Sequence, residues 1–330
     1  MPASDGRGPT PTPVRRHGSP RTRSSDRLPH PSQDTRSPDD ADRAHGALVP
    51  LRPRTGPPEA AEPLDEGVRK SDVDPWGRSE SARKLISRLT GIYYDYWFRV
   101  EWEGLEKIPR EGGALLVSNH AGAIPSDAPM IMHGIEKEVG RPVYGLADYW
   151  FKAMPFVGTG WARSGGVAAH PDNAHRLLHD EQQLALVFPE GTKGTSKLYR
   201  DRYQLRRFGR GGFVETAMRA GVPVIPIAVV GAEESMPILT RLPSGIANRL
   251  GVPYLPLTLN HLLLGPVVGS VVWLPAKMRI RVLDPVEFGV APNLERYPRS
   301  RVMEEAEAIR LSLQDNLHSM LRHRKSPWFG

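Results

Sequence analysis

The sequence predicts an α/β fold: a single domain with a largely parallel central sheet flanked by helices, preceded by a disordered N-terminal tail. Three observations carry that expectation. Short apolar runs alternate with stretches of helical periodicity, the pattern of strands separated by crossover helices. Two of the runs, Leu184–Phe188 and Val222–Val230, are apolar almost throughout, as strands covered on both faces must be. The composition also breaks near Trp76: residues 1–75 hold no Phe, Trp or Tyr and 14 of the 33 prolines.

The elements follow in order. Residues 1–75 carry 12 Lys and Arg against 12 Asp and Glu, so they are neutral and the whole net charge of +7 lies in residues 76–330. A segment this poor in apolar side chains cannot offset its ordering entropy. It reads as a docking tail or as a tolerated extension, and no apolar leader core is present. Residues 76–98 follow, with Leu85, Ile86, Leu89, Ile92, Tyr93, Tyr96 and Trp97 at helical spacing beside Arg83, Lys84 and Arg88. That amphipathic helix suits either a membrane interface or packing on the domain.

Residues 99–330 form the α/β domain. Strands are expected at Phe98–Trp102, Gly113–Val117, Pro142–Ala147, Leu184–Phe188, Val222–Val230 and Met278–Leu283. Helices are expected at Asp127–Glu138, at Pro171–Gln183, at Gly212–Ala220 before Gly221, and at 299–324, with Val302, Ala306, Ile309, Leu313, Leu317 and Met320 on one face. Residues 250–276 carry no Asp, Glu, Lys or Arg, but four prolines break them. The run reads as an apolar lid, a lipid-facing hairpin or a buried crossover. No uninterrupted apolar run is long enough for a conventional membrane span.

The chemistry points to an anionic or apolar partner. A net positive charge suits phosphate or an acidic membrane surface. With no cysteine, disulfides, thiolate metal sites and a Cys nucleophile are excluded. No G-x-S-x-G elbow is present. His120 stands at the end of an apolar run, in a turn containing Gly122 and Pro125, and Asp127 follows. Imidazole can take a proton from a hydroxyl, and a carboxylate on its other nitrogen would support the imidazolium. Alternatively, Asp127 caps the helix behind it. The second constellation is VFPEGTKGTSK, Val187–Lys197, where a buried strand ends at Glu190, Gly191 and Thr192. Seven Lys or Arg within Lys193–Arg210, including Lys197 and Arg207, favour an anionic ligand. No nucleic-acid motif accompanies them. His175 and His179, one helical turn apart, lack a third metal ligand.

His120 with Asp127, then FPEGTK, then VPVIPIAVVG at 222–231 resemble, in that order and spacing, the lysophospholipid acyltransferase superfamily, over about residues 95–290. The resemblance implies an O-acyltransferase of glycerolipid biosynthesis, peripheral on the cytoplasmic side of the cell membrane. His120 would be its general base and Asp127 the orienter of that base. Glu190, Gly191, Thr192, Lys193, Lys197 and Arg207 would form the substrate site, with Lys193 on phosphate. Gly165, Gly166 and Val167 would be the second block. The co-substrate would be acyl-CoA or acyl carrier protein, with no cofactor or metal. The acceptor would be a lysophospholipid such as 1-acylglycerol-3-phosphate, with a neutral glyceride as the alternative and a non-catalytic lipid-binding protein as the rival. Two departures bear on that choice. The family spacing is His-x4-Asp, whereas this chain has His-x6-Asp, and the second block ends in Ala168-Ala169-His170 without an Arg.

Overall fold

Among the described residues the strands are β1 (Glu101–Glu103), β2 (Ala114–Ser118), β3 (Val143–Ala147), β4 (Gly166–Ala168), β5 (Leu184–Val187), β6 (Val224–Val230), β7 (Ile238–Arg241), β8 (Pro256–Thr258) and β9 (Arg279–Val282). The helices are α1 (Glu80–Ile92), α2 (Asp127–Val139), α3 (Val157–Arg163), α4 (Pro171–His175), α5 (Thr192–Thr195), α6 (Gly212–Ala220), α7 (Ala232–Ser235), α8 (Ser244–Arg249), α9 (Leu259–Val268) and α10 (Arg299–Arg322). The computed structural model describes residues 71–148, 157–249 and 254–330, all within one structural unit. Most of the expected tail, residues 1–70, lies outside the described residues.

Seven strands make one sheet in the order β1-β9-β6-β2-β5-β3-β4. The five from β6 to β4 run parallel, β9 turns antiparallel to β6, and β1 lies parallel to β9 at the edge. Strand β2 is buried at every position, so its alternating side chains feed two cores. Leu115 and Val117 join Val224 and Ala228 on one face, against α6 and α10. Ala114 and Leu116 join Leu184 and Ile225 on the other, against Met130, Ile131 and Ile135 of α2. The six-residue stripe foreseen on α10 is buried along its whole length. Each of its side chains larger than Ala306 contributes about 1.5–3 kcal/mol when removed from water. Helix α6 stops at Gly221, whose φ of 68° is the left-handed cap that glycine adopts without strain.

Proline 226 sits inside the central strand β6, opposite Val117. The ladder to β9 begins one residue later, at Ile227 opposite Val282, so the N–H that proline lacks falls outside it.

Several expectations shift. Residues 71–75 belong to the folded unit, because Asp74 accepts from Trp76 N, Arg78 N and the Tyr144 hydroxyl. The strand expected at Phe98–Trp102 starts later, since Phe98 closes a π-turn over Tyr93–Trp97. The helix expected to reach Gln183 ends as α4 at His175 and widens into a π-turn over Arg176–Asp180. Helix α1 meets α2 through polar contacts, Arg83 to Glu136 and Ser87 to His133, and turns its apolar stripe outward. Leu85 and Leu89 are 62% and 58% exposed. The uncharged run becomes β8 and α9, with 250–253 outside the described residues. Among the described residues no helix is long and apolar enough to cross a membrane.

Candidate active site

The neighbours β6, β2 and β5 run parallel, so the residues that follow each of them arrive at the same end of the sheet. Ligand sites of α/β sheets collect at such ends. Here β2 delivers Asn119 and His120, β5 delivers Phe188 and Glu190, and β6 delivers Glu233 and Glu234. Asn119 extends the β2–β6 pairing with its side chain. Its Nδ2 donates to Val229 O at 3.0 Å and its Oδ1 accepts from Val229 N at 2.8 Å.

The chain then turns through Gly122, at φ 82°, and returns with Asp127. His120 Nδ1 lies 3.2 and 3.1 Å from the two carboxylate oxygens of Asp127. A carboxylate only accepts, so Nδ1 carries the proton and Nε2 keeps a basic lone pair. The Asp127 side chain is fully buried and also accepts from Ala121 N at 2.9 Å and Ala128 N at 2.7 Å. It is the first residue of α2 and fixes the imidazole, while the cap position weighed for it in the sequence is held by Ser126. Phe188 stacks on one face of the His120 ring, with centroids 4.0 Å apart. The His120 side chain is 16% exposed, and Nε2 has no hydrogen-bond partner among the described residues.

Behind this pair lies a buried charge cluster. Glu190 Oε1 accepts from His120 N at 3.1 Å, and its Oε2 accepts from Arg206 N at 2.8 Å. Lys197 Nζ lies 3.3 Å from Glu190 Oε2 and 3.1 Å from Glu233 Oε1. Tyr203 N donates to the same Glu233 oxygen at 2.9 Å. Burial pushes the Glu233 carboxyl up to about 7, against the opposing pull of Lys197 and the Tyr203 amide. One ammonium thus serves two carboxylates. The Tyr203 hydroxyl donates to Glu234 and accepts from Gly231 N at 2.8 Å, and Arg324 Nη1 reaches Glu234 at 2.9 Å. The end of α10 is thereby tied to the same corner.

A family model described as Acyltransferase matches residues 99–230, from just before β1 to the end of β6. An uncharacterized protein of Mycobacterium tuberculosis is 36% identical over 268 residues, covering 81% of this chain and 73% of that protein. The chain belongs to this acyltransferase family. A DGAT1/2-independent enzyme synthesizing storage lipids from Homo sapiens is 27% identical over 213 residues, 63% of this chain and 60% of that one. The 1-acyl-sn-glycerophosphate acyltransferase PlsC of Thermotoga maritima aligns with a TM-score of 0.47 at 20% identity, covering 74% of this chain and 80% of that one.

In this acyltransferase the expected site residues divide into two groups. Gly191, Thr192, Lys193 and Arg207 are exposed around α5 and the loop after it. Gly191 turns at φ 54°. Gly194 presses on His120: a Cβ there would lie 2.8 Å from its O and 3.0 Å from its Cβ. Lys193 is its neighbour in the chain. Glu190 and Lys197 are different, because their side chains are 0% and 2% exposed. Lys197, expected in the substrate site, has its ammonium on two buried carboxylates, Glu190 and Glu233, instead. Glu190 likewise grips backbone rather than a ligand. His175 Nε2 pairs with Asn293 Oδ1 and His179 Nδ1 with Ala220 O, so neither imidazole faces the site. Asn119, Phe188, Tyr203 and Glu233 were not foreseen as site residues. The adjacent acids Glu233 and Glu234, straight after a buried strand, were the one readable sign.

Proposed function

We propose that this acyltransferase moves a fatty acyl group from acyl-CoA or acyl carrier protein to a hydroxyl of a glycerolipid, at the cytoplasmic face of a membrane. The observation that carries the reading is His120, held on Asp127 through Nδ1 with Nε2 left unpartnered at the end of β2. Nε2 takes the proton of the acceptor hydroxyl as its oxygen attacks the thioester carbonyl. The new C–O bond forms, the C–S bond breaks, and the imidazolium returns its proton to the departing thiolate. Asp127 supports the imidazolium in between. Transfer is direct, in keeping with a chain that has no Cys and no nucleophile elbow.

The acceptor is a lysophospholipid such as 1-acylglycerol-3-phosphate, with Lys193 and Arg207 on its phosphate. Both are exposed and have no ion-pair partner among the described residues, as a phosphate-binding cation should be. A second reading, transfer to a mono- or diacylglycerol, is favoured by the burial of Lys197 and the missing Arg of the second block. The printed name of the human relative, an enzyme synthesizing storage lipids, favours it too. The test is labelled acyl-CoA offered with lysophosphatidate, monoacylglycerol, diacylglycerol or no acceptor. Labelled phosphatidate supports the first reading and labelled glyceride the second. Free fatty acid alone means that water is the acceptor, and no turnover of any kind removes the enzymatic reading. If phosphate is bound as proposed, Lys193→Ala raises KM for lysophosphatidate and leaves KM for diacylglycerol unchanged.

A further inference from the structure

Trp273 joins three parts of the surface that are far apart in sequence. Its carbonyl accepts from Trp97 Nε1 at 2.9 Å, at the end of the π-turn that continues α1. Its own Nε1 donates to Ile124 O at 2.8 Å, in the turn between His120 and Asp127. The Tyr93 ring meets the Trp273 ring edge-on at 5.2 Å. Trp273 itself follows directly on the segment built around α9.

Each of these parts presents hydrocarbon to solvent. On α1 the outward stripe runs through Leu85, Leu89 and Ile92, the last 57% exposed, to Tyr96 at 78%. On α9 and its exit, Leu262, Val267 and Val271 are 64%, 78% and 65% exposed. Ile124 is 42% exposed. Monomers rarely display connected apolar surface on this scale without a use for it.

The α9 segment is built, not frayed. Thr258 and His261 form a reciprocal capping box, and His261 Nε2 reaches Ser270 Oγ at 3.0 Å. Asn260, fully buried, donates to Ser235 O and Val272 O. Gly265, at φ 79°, makes the turn before Pro266. These side chains tie the knuckle together from inside, and its leucines and valines are held outward.

We propose that α1 and the α9 knuckle, joined through Trp273, are one docking surface for a lipid bilayer, and that Ile124 carries the catalytic loop into it. The proposal rests on the reading that the substrates are lipids, and it names the surface through which they arrive. Three observations select a bilayer over a second copy of the chain. Lys84 and Arg88 are exposed beside the α1 stripe and have no ion-pair partner among the described residues, as cations meeting anionic headgroups require. Tyr96 and Trp97 stand at the edge of the patch, the place of aromatics at headgroup depth. Ile124 belongs to the loop that presents His120, so a protein seated here would close the approach to the base, whereas a bilayer supplies acceptor to it. The two residues by which His-x6-Asp exceeds the family spacing lengthen the turn that reaches this surface.

Vesicle flotation of the full chain tests this without any substrate, so its outcome is independent of whether acyl transfer is found. The expected result is flotation with phosphatidylcholine vesicles that is stronger when phosphatidylglycerol is included. Leu262→Asp with Val267→Asp should lower bound protein at least about tenfold with an unchanged melting curve. Lys84→Ala with Arg88→Ala should weaken binding to the anionic vesicles about 30-fold and leave zwitterionic binding intact. The chain has no native cysteine. An environment-sensitive dye on Ile124→Cys should therefore shift to the blue on vesicle addition, while one on Ser312→Cys, exposed on α10, should not. Wild-type protein that stays unbound, or Asp variants that float normally, would overturn the proposal. So would Asp variants whose only change is a dimer becoming a monomer in light scattering, which would assign the surface to a second copy.

Discussion

Glu190, Lys197 and Glu233 are charges without water, whereas Leu85, Leu262 and Val267 are hydrocarbon without a core. The first set lies behind His120 and the second across α1 and α9. Both invert the usual partition of side chains, but in opposite ways. The buried charges of Glu190, Lys197 and Glu233 meet one another and hydrogen bonds from inside the chain. The exposed hydrocarbon has no such partner. A self-satisfied region is scaffold: it holds His120 still. An unsatisfied region is completed from outside.

The sharpest way to break that contrast is Lys197→Met. Removing the ammonium leaves Glu190 and Glu233 buried together, at a cost of about 3–5 kcal/mol. A large fall in melting temperature is expected, followed by circular dichroism. If Lys197 instead bound substrate, stability would hold and KM alone would rise. Glu190→Gln probes the same corner more gently, because an amide NH2 would replace one oxygen among three donors. The expected loss is on the order of 10–100-fold in kcat, with KM for acyl-CoA nearly constant. Gly194→Ala places a methyl 2.8 Å from His120 O and 2.9 Å from Glu190 Cβ. The strain should cost roughly 1–3 kcal/mol and lower kcat, while leaving vesicle binding alone.

The smallest effect is a pH dependence. The Glu233 carboxyl titrates near 7 in the folded protein, above the ordinary 4.5 expected of the unfolded chain. The folded state therefore binds the extra proton between those values. Its stabilising contribution is full below about 4.5 and is lost as pH rises through 7. Glu233→Gln removes that dependence. The melting temperature of the variant relative to wild type should rise from pH 5 to pH 8, and a difference independent of pH would assign the proton elsewhere.

The parts of this molecule legible in the sequence are those whose signal is local. The α10 stripe repeats every three or four residues, α6 ends on its own glycine, and His120 and Asp127 belong to one turn. Glu190 was found by its motif, but its task was not, because the groups it grips come from β2 and from the loop at Arg206. The ion pairs of Lys197 were hidden for a related reason. Its partner Glu233 stands 36 residues away, and a lysine reads the same whether it meets solvent or two carboxylates. The uncharged run 250–276 shows the complementary limit. Leucines and valines with no charge among them fit a core and a lipid surface equally. Only the turn at Gly265 and the bonds of Asn260 and His261 decide which way they face.

The most direct measurement is transfer of a labelled acyl group from acyl-CoA to a glycerolipid by wild type and His120→Ala at matched folded concentration. The expected result is a fall of about 10²–10⁴-fold in turnover with an unchanged melting curve and unchanged vesicle binding. Near-normal transfer by the folded variant would contradict the assignment of His120 as the base.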